Sequence, residues 1–109
     1  MSSQRKGPSG AIQSRSSRWT YPTGAPPVIN PVPPQAFTFI DDEEHFPYLR
    51  EGDPVLVTTN IPAPTNGELT IRAFSIGTAK MRIVIGNFGA APMDLPDPLD
   101  LSFVVWSKP

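Results

Sequence analysis

Apolar and polar side chains alternate with a period of two through much of residues 37–109, the spacing that sets every second side chain on one face of a pleated strand. Phe37 and Phe39 alternate in AFTFID, and Val55 and Val57 in PVLVTT. Leu69, Ile71 and Ala73 alternate with Thr70, Arg72 and Phe74, and Met81, Ile83 and Ile85 alternate with Arg82 and Val84. In the last run Leu99, Leu101, Phe103 and Val105 alternate with Asp100, Ser102, Val104 and Trp106. HFPYLREGDP, IPAPTNG, SIGTA and the stretch from Gly86 to Pro98 separate these runs, and each is rich in turn-forming Gly, Pro, Asn or Asp. Pro54 and Pro62 stand at strand ends, where a missing N–H disturbs a ladder least. The pattern predicts an all-β fold, a small β-sandwich with a jelly-roll-like body over residues 37–109.

Residues 1–36 read differently. They hold seven prolines, many serines and few apolar side chains, so they lack a core of their own. Proline fixes φ and removes a donor, and PPVINPVPP is expected to run extended as a semi-rigid spacer of about 3 Å per residue. The segment is expected to be an extended N-terminal arm. Its candidate interface residues are Arg5, Lys6, Arg15, Arg18, Trp19 and Tyr21, because aromatic and arginine side chains are the common anchors of protein interfaces.

Charge sharpens this division. The net charge is only −1, yet residues 1–36 carry Arg5, Lys6, Arg15 and Arg18 with no acid. The remainder carries ten acids against Arg50, Arg72, Lys80, Arg82 and Lys108. Four cations spread over the arm are sparse for a nucleic-acid tether and disfavour that partner. No window approaches the roughly 20 apolar residues of a membrane helix, and no secretory leader is evident, so synthesis in a cytoplasmic compartment is expected. A body of about five strands and 73 residues is marginal as an isolated core, and its uncovered edges call for the arm or a second copy, in a dimer or trimer.

Candidate chemistry is thin. The chain has no cysteine, one histidine and no serine in a Gly-x-Ser-x-Gly elbow, which argues against nucleophilic catalysis. His45 lies in DDEEHFP beside Asp41, Asp42, Glu43 and Glu44, without the ligand spacing of a zinc or calcium site, and the run is expected to be a solvated acidic loop. Gly86, Asn87, Phe88 and Gly89 lack the spacing and following helix of a phosphate loop and are expected to end a strand in a tight turn. Pro92, Pro96 and Pro98 are expected to hold the crossover into the last strand extended. No catalytic residue, metal ligand or cofactor site is assigned.

The layout YLREGDPVLVT, NGELTIRAF and AKMRIVIGNFGAAPMDLPDPLDLSFVVW, over residues 46–106, resembles small bacteriophage structural proteins. Its elements are the turn at Gly52 and Asp53, a valine-rich strand, and a strand ending in Asn87 before the Ala90–Ala91 corner. The resemblance implies a capsid decoration, cement or staple protein on the outer surface of a virion, bound to the major capsid protein through its arm and its oligomeric β-body. Removing residues 1–36 would then abolish particle binding and leave the body folded. A tail, collar or fibre-attachment component is the alternative within the same particle. A free carbohydrate-binding module is the alternative outside it, with Tyr48 or Trp106 as the stacking platform.

Overall fold

The fold is described by a computed structural model over residues 13–59, 61 and 69–107. Six strands and no helix form among the described residues: β1 (Gln13–Tyr21), β2 (Ala36–Asp42), β3 (Val55–Thr59), β4 (Leu69–Gly77), β5 (Lys80–Asn87) and β6 (Leu99–Ser107). They make two antiparallel three-stranded sheets, ordered β1-β6-β3 and β2-β5-β4. The all-β, sandwich-like architecture follows from the period-two pattern, because one apolar face per sheet must be covered by the other.

One core joins the sheets. Met81, Ile83 and Ile85 of β5 and Leu99, Leu101, Phe103 and Val105 of β6 are all essentially inaccessible, and they form a single cluster with Ile40, Val57 and Ala73. Phe46 and Leu49, from the loop between β2 and β3, complete it, with the Phe46 ring 5.0 Å from Phe103 at 73°. The same loop contains the anticipated turn at Gly52 and Asp53. The Asp53 N–H donates to the Arg50 carbonyl at 3.1 Å, and Gly52 takes φ 86°, which glycine adopts without a Cβ penalty. The β4–β5 hairpin closes through SIGTA, with Ala79 held at φ 59°.

The boundary between arm and body lies elsewhere than expected. Residues 13–21 pair along β6, from Gln13 opposite Ser107 to Tyr21 opposite Leu99. Trp19 and Tyr21 face inward over Leu101 and Leu99, and Tyr21 belongs to the core cluster. β6 offers a row of donors and acceptors on the side away from β3, and β1 satisfies it. Residues 1–12, with Arg5 and Lys6, lie outside the described residues.

PPVINPVPP is not a spacer either. It folds against the crossover between β5 and β6, burying Val32 completely and exchanging two backbone hydrogen bonds between Val32 and Met93, at 2.8 and 3.0 Å. Two proline-rich strings have few N–H donors, so side-chain amides supply them. Asn30 donates to the Leu95 carbonyl at 3.0 Å and accepts from its N–H at 2.9 Å. Asn87, fully buried, donates to the carbonyls of Val32 and Ala91 and accepts from the Gly89 N–H. Thr23 donates to the Pro96 carbonyl at 2.6 Å. Peptide bonds Pro26–Pro27, Asn30–Pro31 and Asp97–Pro98 are cis.

β1 is therefore part of the fold, and a chain lacking residues 1–21 is expected to be unfolded rather than a stable body. Circular dichroism and urea titration of that truncation check this. Leu101→Ala in the full chain is expected to cost about 2–5 kcal/mol in the same titration.

Candidate functional site

Two places in the described structure gather side chains of chemical interest: a polar cluster where β1 meets the end of β2, and the outer face of the β2-β5-β4 sheet.

Asp42 ends β2 and is buried, with 5% of its surface exposed. Its Oδ1 accepts the backbone N–H groups of Glu44 and His45 at 2.8 and 3.1 Å, which turns the chain out of the strand. Its Oδ2 accepts the Tyr21 hydroxyl and lies 2.8 Å from His45 Nδ1. An ionised carboxylate only accepts, so Nδ1 carries the proton in this arrangement. Burial alone would raise the Asp42 pKa, but the bonds from Tyr21, Glu44 and His45 outweigh it and hold the carboxyl below its usual range. Burial, together with the adjacent carboxylate, pushes the Tyr21 hydroxyl well above the ordinary tyrosine range.

The Trp19 ring packs on His45 at 4.1 Å between centroids, and Tyr21 meets the same imidazole edge-on at 6.0 Å. Trp19 Nε1 is buried without an acceptor. His45 is held on one side by the Asp42 carboxylate and on the others by these two aromatic rings, at the edge of an open pocket that Thr20 and Glu44 also line. The arrangement locks β1 to β2 through the Tyr21–Asp42 and Asp42–His45 contacts.

The acidic run is divided among separate tasks. Asp41 accepts a forked pair of bonds from Arg82 at 2.8 and 2.9 Å, and Glu43 lies 3.7 Å from Lys80. The run is not one solvated loop, because Asp41 and Asp42 end strand β2 and Asp42 is buried, while Asp41, Glu43 and Glu44 are exposed. Among the described residues no group of three or more His, Cys, Asp and Glu side chains could hold a metal ion.

The anticipated arm residues that are described make contacts within their own chain, Arg15 and Arg18 while remaining exposed. Arg18 forks onto Asp100 of β6, its Nε donating at 2.9 Å, and each holds the other's charged form: the Arg18 pKa is raised and the Asp100 pKa lowered. Arg15 lies over the Tyr48 ring, its Cζ 4.5 Å from the centroid. Tyr48 is half-buried beneath it, and Trp106 is half-buried beside Pro54, whose carbonyl accepts the Trp106 N–H. The Tyr48 ring is thus covered by Arg15, and the Trp106 ring is partly exposed.

The outer face of β2-β5-β4 was not singled out from the sequence. Phe37 and Phe39 share a face as their spacing predicts, but it is the solvent face, each being 47% exposed, while Thr38, Ile40 and Asp42 point inward. Register places Phe37 beside Gly86 and Thr70, Phe39 beside Val84 and Arg72, and Asp41 beside Arg82 and Phe74. Phe88, 52% exposed, meets Phe37 edge-on at 5.7 Å. Gly86 sits within β5 without a positive φ, correcting its expected role in a turn. A Cβ there would stand 2.6 Å from the Phe37 ring, so the glycine is the seat on which that ring lies. Phe37, Thr70, Arg72, Phe74, Val84 and Phe88 line an open groove of about 310 Å³.

Comparison with protein-family models, with curated proteins and with solved structures finds no match for this chain.

The Asp42 cluster gives a pH signature. With its folded pKa below the unfolded value of about 3.9, Asp42 contributes stability that is complete above that value and lost as pH falls through the folded pKa. Tyr21, raised, contributes stability that is complete below about pH 10 and lost as pH rises beyond it. In urea titrations across pH, Asp42→Asn is expected to flatten the acid limb, and Tyr21→Phe to flatten the alkaline limb and cost about 1–3 kcal/mol at pH 7.

Proposed function

We propose that this chain is a non-enzymatic docking subunit of a virus particle, a capsid decoration or cement protein that binds the major capsid protein on the outer surface. The observation that carries a docking role is the cluster of Phe37, Phe39, Phe74 and Phe88, each more than 40% exposed on one sheet face. Soluble monomers rarely leave several large aromatic rings together in water, and such patches mark interaction surfaces. The virion assignment is drawn from the likeness of residues 46–106 to small phage structural proteins.

Topology supports the same reading. The chain crosses between sheets at every connection except the β4–β5 hairpin. We read this as a reduced jelly roll, in which one hairpin replaces the pair of strands that would widen each sheet to four. Jelly rolls are a common architecture of viral coats and lectins. The supporting weight rests on the sheet face rather than on the arm, because Arg15, Arg18, Trp19 and Tyr21 are engaged within the chain. Assembly as a dimer or trimer remains part of the reading. It is less needed for folding than a five-stranded body implied, since the chain supplies β1 itself.

Quantitative mass spectrometry and electron cryomicroscopy of purified particles carrying this protein test the proposal. Hundreds of copies over the outer shell are expected. Tens or fewer at a single vertex would instead indicate the tail, collar or fibre-attachment role, and absence from the particle would overturn the virion reading.

A further inference from the structure

We propose that the groove on the outer face of β2-β5-β4 docks a segment of a partner protein that presents an apolar side chain next to a carboxylate, with Arg72 taking the carboxylate. The inference rests on the docking role of that face and names the chemistry of its occupant.

The groove wall is largely apolar. Phe37, Phe74 and Phe88 and the half-buried Val84 surround it, and among its lining residues only Thr70 and Arg72 are polar. An aliphatic or aromatic side chain seated there would remove these rings from water without stranding polar groups.

The charges of the face are mostly paired among the described residues. Arg82 is neutralised by a forked bond to Asp41, and Lys80 lies 3.7 Å from Glu43. Arg72, between Thr70 and Phe74 on the edge strand β4, pairs with no acid among the described residues and is exposed. Among the described residues it is the one charge of the face without an ion-pair partner, and its planar fork matches a carboxylate.

Other occupants fit less well. A second copy packed face to face about a two-fold axis would bring two unpaired Arg72 guanidinium groups into one apolar interface, a like-charge burial that works against self-association. A sugar would find two polar side chains for its hydroxyls. A nucleic-acid strand could stack on the phenylalanines, but its successive phosphates would meet Arg72 as the single free cation of the face among the described residues.

The test uses the full-length chain and arrays of synthetic peptides in matched sets, with Leu or Phe flanked by Asp in one set and by Asn in the other. Binding is expected in the Asp set and weaker by about tenfold or more in the Asn set. Arg72→Glu is expected to reverse the preference toward peptides with Lys in place of Asp. Phe74→Ser is expected to weaken every set. Both positions are exposed, and thermal unfolding verifies that the variants remain folded. Equal binding of Asp and Asn sets, no binding at all, or indifference to Arg72→Glu overturns the proposal. So does a concentration-dependent dimer in sedimentation that Phe74→Ser abolishes, which would make a second copy the occupant. Carboxylate-dependent peptide binding by a protein absent from particles would retain this inference and reject the virion reading, so the two fail separately.

Discussion

β6 is the strand on which the rest of the structure depends. It pairs with β1 on one side and β3 on the other, and its inward row of Leu99, Leu101, Phe103 and Val105 is the largest continuous part of the core. A strand with such a row is stable only when its backbone is satisfied on both edges and its apolar face is covered. β1 supplies one edge and sends Trp19 and Tyr21 over the same face, while β5 covers it from the opposite sheet with Met81, Ile83 and Ile85. The polar segment that opens the described chain is thus a wall of the core rather than an appendage.

A second constraint comes from proline. The strings from Pro22 to Pro34 and from Pro92 to Pro98 run close together, and each proline withholds an N–H. Carbonyls left in a dry interior carry a cost of about 1–3 kcal/mol each. Asn30, Asn87 and Thr23 replace the missing donors from their side chains, which explains why a fully buried asparagine and threonine sit among apolar neighbours. The rigidity of the prolines is therefore used to build a packed corner, held by amide groups at defined positions.

These constraints also shape what is left for function. Asp41, Asp42 and Asp100 each hold a partner within the chain, and Arg15 and Arg18 are folded onto Tyr48 and Asp100. Among the described residues, the outer face of β2-β5-β4 leaves Phe37, Phe39, Phe74 and Arg72 exposed, with Phe88 beside them. The docking role proposed above rests on this division, with polar residues used in internal clamps and an aromatic sheet face left in water.

The strands β2 to β6 were legible in the sequence because period-two alternation is a local property that survives any tertiary arrangement. The Gly52–Asp53 turn was legible for the same reason. β1 was not: QSRSSRWTY is apolar on the β6-core side only at Trp19 and Tyr21, while Arg15 and Ser17, opposite Val105 and Phe103, are polar, Ser17 contacting the Tyr48 hydroxyl at 3.3 Å. The candidate face was half legible. Spacing put Phe37 and Phe39 on one side, but which side meets water depended on Asp42 finding Tyr21 and His45, and on Gly86 leaving room for the Phe37 ring. By itself the sequence determined an all-β chain, its strand periods and its turn residues, because these follow from backbone geometry over a few neighbours. Tertiary structure alone decided the pairing of β1 with β6, the clamp between the proline strings, and the orientation of β2. Each of those depends on partners distant along the chain that satisfy one another's buried hydrogen bonds.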